Sequence, residues 1–498
     1  MQDVRQDSNG TGGKKEHEES QESSRSILKK VFREQLIMKG PPYANNFFFT
    51  IGVYLLLLFA VLVVTGIIML IFGPYWWDLT STGTFFRSVH LWAAEAFVTL
   101  MFLHLFVNFC TSAFRKKRLM WMIGSVMLML VLLEFAFGVG FGGSLYGQVN
   151  EQAGADLWNG MGLGYWINPM NEGAVFGWHV AILPMLLAAL MFLHYSIVRK
   201  QGLNAPYRSD VPSRTIPINH TMMYKRMAYV LAVVLLFAIV FRAPFVPPLT
   251  IGQVAQAHPD ATALTFLSEF NRSSPTATYL DTINPYNFST RTVYISIPYD
   301  AYLDLSHSSD AEQAFLSETL PQQNRTMAQA ASYFSGNGTI SNGMNSSNPM
   351  IKLASSLTYM AQTGVYQPML QSEVASGMDT TYVIRFLFDT GALWGTAEKY
   401  GLNVSQWGML EVGPPPWYLQ YWLLPYNFLQ IETSAMPWWG DLGSGSVALL
   451  AFFLLFALPY IPGLRAIPDR LKLYKLFWNR FTIPEMRSRA KNRNRKRR

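Results

Sequence analysis

The sequence predicts an all-α membrane protein with a four-helix bundle, two further transmembrane helices and an inserted extracytoplasmic α+β domain. Of the 498 residues, 50% are hydrophobic and only 14% are charged, whereas soluble domains average about 25% charged residues. The apolar residues are gathered into runs that reach the length of about 20 residues that a spanning helix needs. The chain has one cysteine, Cys110, which excludes an internal disulfide and argues against metal ligation by cysteine.

The N-terminal region is polar and precedes the first apolar run. Residues 1–25 have no apolar core and predict a disordered tail rather than a signal peptide. Residues 26–40 place apolar side chains on one side of a helix and Lys and Arg on the other. This pattern predicts an amphipathic helix that lies on the membrane surface.

Six apolar runs predict the transmembrane helices. They lie at 47–72, 90–112, 119–141, 175–198, 227–245 and 445–462. The turn at 112–119 contains "RKKR", the connection at 199–226 contains six Lys and Arg, and the tail after 463 is strongly basic. Six spans put these segments on one side, which the positive-inside rule assigns to the cytoplasm. We therefore expect a multi-pass plasma-membrane protein with both termini cytoplasmic, and we attribute the net charge of +8 to membrane topology, not to nucleic-acid binding.

The long connection between the last two spans faces outward in this topology. It is acidic, with 15 Asp and Glu against 6 Lys and Arg over residues 246–444. "TRTVYISIPYD" alternates as a strand does, "DAEQAFLSETLPQQ" is typical of a helix, and residues 335–348 predict loop or disorder. We predict an extracytoplasmic α+β insertion at 260–400. The other predicted segments are 41–215 for the four-helix domain, 216–259 for the fifth helix and its flank, 401–465 for a loop and the sixth helix, and 466–498 for a basic cytoplasmic tail.

Two predicted spans each carry a pair of histidines. His90 and His104 are 14 residues apart, and His179 and His194 are 15 apart. Both spacings are close to four helical turns, so the two members of a pair share a helix face and lie about 21–22 Å apart. The first histidine of each span lies near the outer surface, so His90 is expected to face His179 and His104 to face His194. Imidazoles that face each other across a bundle are the ligands of a bis-histidine haem, and the four-helix domain is predicted to be a dihaem bundle.

Other roles for intramembrane histidines remain open at this point. A single one could be a hydrogen-bonded core residue, and a proton relay uses the same residue type. Zinc or copper needs ligands clustered at shorter range. Glycines on the two other helices of the bundle favour haem, because small residues leave room for a bulky group. They repeat the 14-residue spacing and are Gly52 with Gly66 and Gly124 with Gly138.

Several stretches resemble the cytochrome b family of the quinol-oxidising bc complexes, in its bacterial or archaeal form. "FRSVHLWAAEAFVTLMFLHLF" resembles the second helix of that family, and "HVAILPMLLAALMFLHYSIVRKQGLNAP" resembles its fourth helix and the following loop. "LPYIPGLRAIPDRLKLYKLFW" is similar to members with a short C-terminal half. The resemblance covers most of residues 26–250 and 410–480 but not 260–400.

The resemblance implies roles for individual residues. His90 and His179 would be the axial ligands of an outer, low-potential b-type haem, and His104 and His194 those of an inner, high-potential one. The four glycines match the family's haem-packing glycines, and Arg87 matches a basic residue that pairs with a haem propionate. Leu91 stands where the family usually has an arginine.

The quinol-oxidation motif of the family, Pro-Glu-Trp-Tyr, is altered in this chain. "GPPPWYLQYW" matches it with Pro415, Trp417 and Tyr418, but Pro416 replaces the glutamate that is thought to accept a proton from quinol. The exit of the third helix departs as well, since "GFGGSLYGQVNEQ" keeps only Leu145 and Gln148 of the family pattern. Both departures concern the outer quinol pocket.

By resemblance, the chain is expected to be the dihaem subunit of a quinol oxidoreductase that moves electrons from an outer quinol to an inner quinone and builds a proton gradient. The implied partners are a Rieske-type iron–sulfur protein, cytochrome c or another electron acceptor, and a second copy in a homodimer within the complex. Two alternatives stay open. One is a dihaem anchor that exchanges electrons between the quinone pool and a different partner without bifurcation. The other is a haem-free binding or transport protein built on the same scaffold, against which the retained histidines and glycines argue.

Overall fold

The computed structural model describes most of the predicted membrane region and part of the insertion. The described residues are 39–40, 44–141, 163, 167, 172–203, 216–242, 251–274, 277, 289–306, 309–336, 338–366 and 440–478. Among them, five helices are long and apolar enough to span a membrane. The spanning segments are Phe47–Gly73, Ser81–Cys110, Arg118–Val139, Val175–Gln201 and His220–Val240. The chain is therefore a multi-pass membrane protein, and five of the six predicted spans are confirmed.

The helices that contain these spans are listed in chain order. They are α1 (Phe47–Leu79), α2 (Ser81–Cys110), α3 (Arg118–Phe141), α4 (Glu172–Gly177), a π-helical segment (Trp178–Ile182), α5 (Leu183–Gln201) and α6 (His220–Val240). Polar caps define where two of them begin. Asn46 accepts a hydrogen bond from the backbone N–H of Phe48 at 3.0 Å, and Thr80 accepts one from that of Gly83 at 3.0 Å. Such caps satisfy amide groups that the first turn of a helix leaves free.

The spanning helices pack in two groups. One contains α1, α2 and α6, with α2 between its neighbours, and the other contains α3 and the α4–α5 helix. The shared core includes Leu58, Trp92, Phe97 and Leu128, all buried. Away from this core, large apolar side chains such as Ile71 and Phe192 remain exposed. In a bilayer these side chains face lipid, where exposure carries no hydrophobic cost.

The segments that join the helices meet at one end of the bundle, here called the basic end. A two-residue antiparallel pair joins β1 (Lys39–Gly40) to β2 (Ile216–Pro217). Beside it, the Asn45 amide donates to the Pro217 carbonyl at 3.2 Å. The Arg226 guanidinium donates to the Asn45 carbonyl at 2.9 Å. The start of α1 is thus fixed to the start of α6.

The turn between α2 and α3 lies at the same basic end. Arg115 forms an ion pair with Asp469, and the Lys117 ammonium donates to the Gln201 carbonyl at 3.2 Å. Burial lowers the pKa of the Lys117 ammonium. These contacts bring the turn, the end of α5 and the C-terminal region together, as the distribution of basic residues predicted.

Two predictions, one near each terminus, differ from the structure where the residues are described. Of the amphipathic helix predicted at 26–40, only Lys39–Gly40 is described, and it forms a strand because its backbone pairs with β2. The sixth predicted span, 445–462, overlaps α14 (Gly440–Ala457), which begins and ends five residues earlier than predicted. Its described apolar part, Ser446–Ala457, is shorter than a spanning helix.

The described part of the insertion is a helical unit with its own core. Its helices are α7 (Ile251–Ala257), α8 (Pro259–Phe270), α9 (Ile297–Ser306), α10 (Ala311–Leu316), α11 (Leu320–Ser335), α12 (Ile340–Gly343) and α13 (Pro349–Gln362). Helix α13 is central and packs on α7, α8 and α10. Val139, near the end of α3, packs against this core. The helical unit therefore lies at the end of the bundle opposite the basic end.

The strand predicted at "TRTVYISIPYD" is wrong. Residues Arg291–Ser296 are π-helical and continue into α9. Tyr294 and its neighbour Ile295 are both buried, as is Tyr299. Adjacent residues of a strand point to opposite faces, so only a helix lets all three side chains enter one core. Within 335–348, predicted as loop, the four residues of α12 are helical, while the helix predicted at "DAEQAFLSETLPQQ" is confirmed by α10 and the start of α11.

Trp121 provides a test of how α14 is held to α3. Its indole is 5% exposed, and its Nε1 donates to the Leu455 carbonyl at 2.7 Å. Trp121→Phe removes that donor and leaves the Leu455 carbonyl with only its longer bond from the Leu458 N–H at 3.3 Å, so we expect a loss of about 1 kcal/mol and a lower thermal midpoint in detergent. Tyr460→Phe is the control, because its hydroxyl contacts only the Met122 sulfur at 3.6 Å, a weak acceptor. Equal midpoints for the two variants would contradict this assignment.

Candidate functional site

The four predicted histidines lie on two helices that run in the same direction through the bundle. His90 and His104 are on α2, His179 is in the π-helical segment, and His194 is on α5. Both helices end at the basic end, so His104 and His194 are the members nearer to it. Each pair therefore has one histidine from each helix at a similar depth, as the spacing predicted.

The rings of His90 and His179 lie close together, and a neighbouring polar group contacts each of them. The ring centroids are 6.3 Å apart, and the ring planes are inclined at 73°. The Thr65 hydroxyl lies 2.9 Å from His90 Nδ1. On the other ring, His179 Nδ1 lies 3.1 Å from the Glu134 backbone carbonyl and 3.1 Å from Glu134 Oε1. Both rings are thus held through Nδ1.

The His104–His194 pair is less constrained by its neighbours. The two rings are near enough to interact electrostatically. The Asn108 amide donates to the His104 carbonyl at 2.8 Å and lies 3.4 Å from His104 Nε2. His194 Nδ1 is buried and has no hydrogen-bond partner among the described residues. One ring nitrogen of the basic-end pair therefore makes no hydrogen bond to the described residues.

The helix that carries His179 widens at that residue. The backbone N–H of Leu183 donates to the carbonyl of Trp178, five residues earlier, which is the hydrogen bond of a π-helix. Pro184 follows directly. It has no N–H to donate, and its ring clashes with the carbonyl four residues earlier in a regular α-helix. A widened turn accommodates one extra residue, so the 15-residue spacing of this pair produces nearly the same separation as the 14-residue spacing on α2.

The predicted glycines lie at the depths of the histidines. A Cβ added at Gly66 would stand 3.4 Å from His90 Cε1, and one added at Gly52 would stand 4.0 Å from His104 Cε1. At Gly138 it would stand 2.5 Å from His179 Cε1, which no side chain tolerates without displacing the ring. At Gly124 a Cβ would meet nothing within 4 Å. Three of the four glycines therefore give a histidine close access to a neighbouring helix.

The remaining predicted site residues are only partly described. The Arg87 guanidinium lies 5.2 Å from the centre of the Trp77 ring, one helical turn before His90. Pro415, Trp417 and Tyr418 lie outside the described residues, as does most of the stretch from 140 to 160. The structure therefore brings the predicted histidines and glycines together, while the predicted quinol motif lies outside the described residues.

Sequence reasoning missed Thr65 and Glu134. Thr65 immediately precedes Gly66, and Glu134 is the only acidic residue in α3. A carboxyl group inside a membrane span is costly and usually functional, and this signal could have singled out Glu134. Elsewhere in the described ranges, no group of three or more His, Cys, Asp or Glu side chains forms a metal-binding cluster.

Comparisons with known proteins match the part of the bundle from within α2 to beyond α6. Residues 95–253 match the family model for the N-terminal domain of cytochrome b, cytochrome b6 and petB. Cytochrome b6 of Chlamydomonas reinhardtii is 29% identical over 193 residues, which cover 33% of this chain and 87% of that protein. Cytochrome b of Sulfolobus acidocaldarius is 26% identical over 222 residues, 38% of this chain and 39% of that protein.

Among solved structures, a chain described as hyperthermophilic respiratory Complex III aligns over 70% of this chain and 96% of its own length, with a TM-score of 0.36 and 17% identity. This chain spans 39% of the length of its archaeal relative. The residues that match the family model, 95–253, include His104, His179 and His194 but not His90. Residues 95–253 are therefore similar to the N-terminal domain of the cytochrome b family.

Proposed function

We propose that this chain is the dihaem cytochrome b subunit of a quinol-oxidising respiratory complex. It would carry electrons across the membrane between an outer quinol-oxidation site and an inner quinone-reduction site, coupled to proton translocation. The observation that supports this most is the pairing of four histidines at two depths on two neighbouring helices. The similarity to that family implies b-type haem, and the number of haems and their ligands belong to the proposal.

The His90–His179 pair fits one haem iron by its dimensions. Two imidazoles on one metal, each with its nitrogen about 2 Å from the metal, have ring centres roughly 6 Å apart. The observed separation is 6.3 Å. The Nδ1 contacts to Thr65 and Glu134 fix each ring so that Nε2 is the atom directed to the metal, which is the usual arrangement for histidine ligands.

The His104–His194 pair fits the second haem by position. His194 Nδ1 has no partner in the described part of the chain, so the acceptor that normally orients a metal-bound imidazole through its other nitrogen is not among those residues. Asn108 must give up its 3.4 Å approach to His104 Nε2 when that atom binds iron. Its 2.8 Å bond to the His104 carbonyl is unaffected. The two pairs would be about 21 Å apart along the membrane normal, from 14 residues of helical rise.

When bound, each haem supplies a one-electron redox centre. The residues of this chain would hold the two centres within the apolar core of the bundle. Thr65 and Glu134 orient the rings of the outer pair. Gly52, Gly66, Gly124 and Gly138 leave the space between helices that a macrocycle needs, and Arg87 is placed to pair with a propionate.

The outer chemistry and the partners rest on the family resemblance. A quinol would bind near 415–418, where Pro415, Trp417 and Tyr418 match the family motif, and a quinone would bind on the cytoplasmic side near His194. A Rieske-type iron–sulfur protein would take one electron and deliver it to cytochrome c or another acceptor. The complex would contain a homodimer of this chain in the plasma membrane, with the helical unit outside and both termini in the cytoplasm.

Pro416 favours a second candidate function. Proline cannot accept the proton that the family's glutamate takes from quinol. The second candidate is therefore a dihaem anchor that passes electrons between the quinone pool and a different partner without bifurcation. Oxidant-induced reduction separates the two functions. A bifurcating complex with its inner quinone site inhibited is expected to reduce its haems when an oxidant is added with quinol. If the added oxidant only oxidises the haems, the chain is a dihaem anchor.

Histidine variants test the proposed ligands. Stepwise reduction of the purified protein is expected to show two b-type haems by visible absorption. His90→Ala or His179→Ala should remove one of them, and His104→Ala or His194→Ala should remove the other, because a haem with one ligand left loses its bis-histidine spectrum.

His220→Ala is the matched control for these variants. His220 is also a histidine of the membrane bundle, at the start of α6, with both ring nitrogens buried, but it belongs to neither pair. It should retain both haems. Absence of haem from the unmutated protein, or loss of the same haem in all four ligand variants, would contradict the proposed function.

A further inference from the structure

Glu134 is an ionisable residue within the membrane, and the proposed function uses it only to orient the His179 ring. It lies on α3, four residues before Gly138, so both face the same neighbour. Its Oε1 is 3.1 Å from His179 Nδ1, and its side chain is 19% exposed. The second oxygen, Oε2, is buried and has no hydrogen-bond partner among the described residues. The carboxyl group thus makes its hydrogen bond to the imidazole.

The four candidate ligands differ in what contacts them. His90 Nδ1 meets the neutral Thr65 hydroxyl at 2.9 Å. His104 meets the neutral Asn108 amide, and His194 Nδ1 meets no partner in the described part of the chain. His179 alone contacts a carboxyl oxygen. Among the described residues, one of the two proposed haem sites therefore has an acidic side chain in contact with a ligand, and the other has none.

A carboxyl oxygen that accepts the Nδ1 proton makes the imidazole a stronger electron donor through Nε2. Stronger donation stabilises the oxidised state of a haem iron more than the reduced state and lowers its reduction potential. The effect is larger in the low dielectric of a membrane core than in water. Hydroxyl and amide contacts, which carry no charge, have a weaker influence.

We infer that Glu134 is a positioning residue that holds the reduction potential of the haem at His90 and His179 below that of the haem at His104 and His194. The inference rests on the proposed function, since it requires both haems. The side chains of this chain then account for the direction in which electron transfer is favourable, which is from the outer haem to the inner one.

Glu134→Gln tests the inference in the purified full-length protein. The amide oxygen can still accept the Nδ1 proton, but the acidic group is gone. In an equilibrium redox titration followed by visible absorption, the outer haem should become easier to reduce, with about a tenfold change in its reduced-to-oxidised ratio at a fixed ambient potential, or about 59 mV for one electron. The inner haem is an internal control and should keep its potential.

Thr65→Val is the matched variant, because it removes a neutral acceptor from the other ligand of the same haem. It should shift the outer potential less than Glu134→Gln does. An unchanged or lowered outer potential in Glu134→Gln with both haems bound would overturn the inference, as would an equal shift in Thr65→Val. If Glu134 had only a structural role, Glu134→Gln would change the stability of the protein without changing the reduction potential of the outer haem selectively.

A second measurement covers the case in which Glu134→Gln loses the outer haem. Near-infrared magnetic circular dichroism of the oxidised unmutated protein reports the charge-transfer band of each haem, and this band moves to higher energy as an imidazole ligand becomes more like an imidazolate. A higher-energy band for the outer haem supports the inference, and identical bands overturn it. Absence of both haems from the unmutated protein would instead overturn the proposed function, which distinguishes the two failures.

Discussion

The arrangement of the bundle depends on two helices that present histidines at matched depths. A metal between two helices can bind both imidazoles only if their rings face each other, and a second metal requires the same match about four turns further on. Helix α2 meets this requirement with regular α-helical geometry. In the partner helix, the spacing between His179 and His194 is one residue longer. In a regular α-helix, that extra residue would rotate His194 away from His104 by about 100° and shift it along the helix axis by about 1.5 Å. The π-helical segment Trp178–Ile182 absorbs the extra residue and restores the match.

The local sequence explains why the widening occurs there. Pro184 removes one backbone hydrogen bond and crowds the preceding turn, so the regular helix is already unfavourable at this point. The wider turn relieves the crowding and directs the His179 ring toward His90. The Glu134 carbonyl and carboxyl group then hold that ring from α3. Helix geometry, proline sterics and a polar contact thus act on the same histidine.

The sequence alone predicted the spans and the pairing of the histidines because both follow from regular periodicity. Hydropathy depends on a count of apolar residues, and a spacing near four turns keeps His90 and His104 on one face whatever surrounds them. The π-helical segment and Glu134 escaped prediction because they depend on contacts between helices, which no local pattern specifies. The strand predicted near Tyr294 and Ile295 was wrong for the same reason, since alternation along the chain did not reveal that one core would bury both neighbours. The predicted quinol residues lie outside the described part of the chain and stay a prediction.

A pair of deletions tests the matched register directly. Ala181 lies within the π-helical segment and Ala188 within the regular helix α5. The deletion of Ala181 is combined with Pro184→Ala so that proline does not distort the shortened helix, whereas the deletion of Ala188 retains Pro184, which keeps the turn widened. Deletion of Ala181 removes the residue that the widened turn absorbs, and the protein should keep two b-type haems in its absorption spectrum. Deletion of Ala188 rotates His194 away from His104 by about 100° and should leave only the haem at His90 and His179. Equal haem content in the two deletion variants would contradict the account.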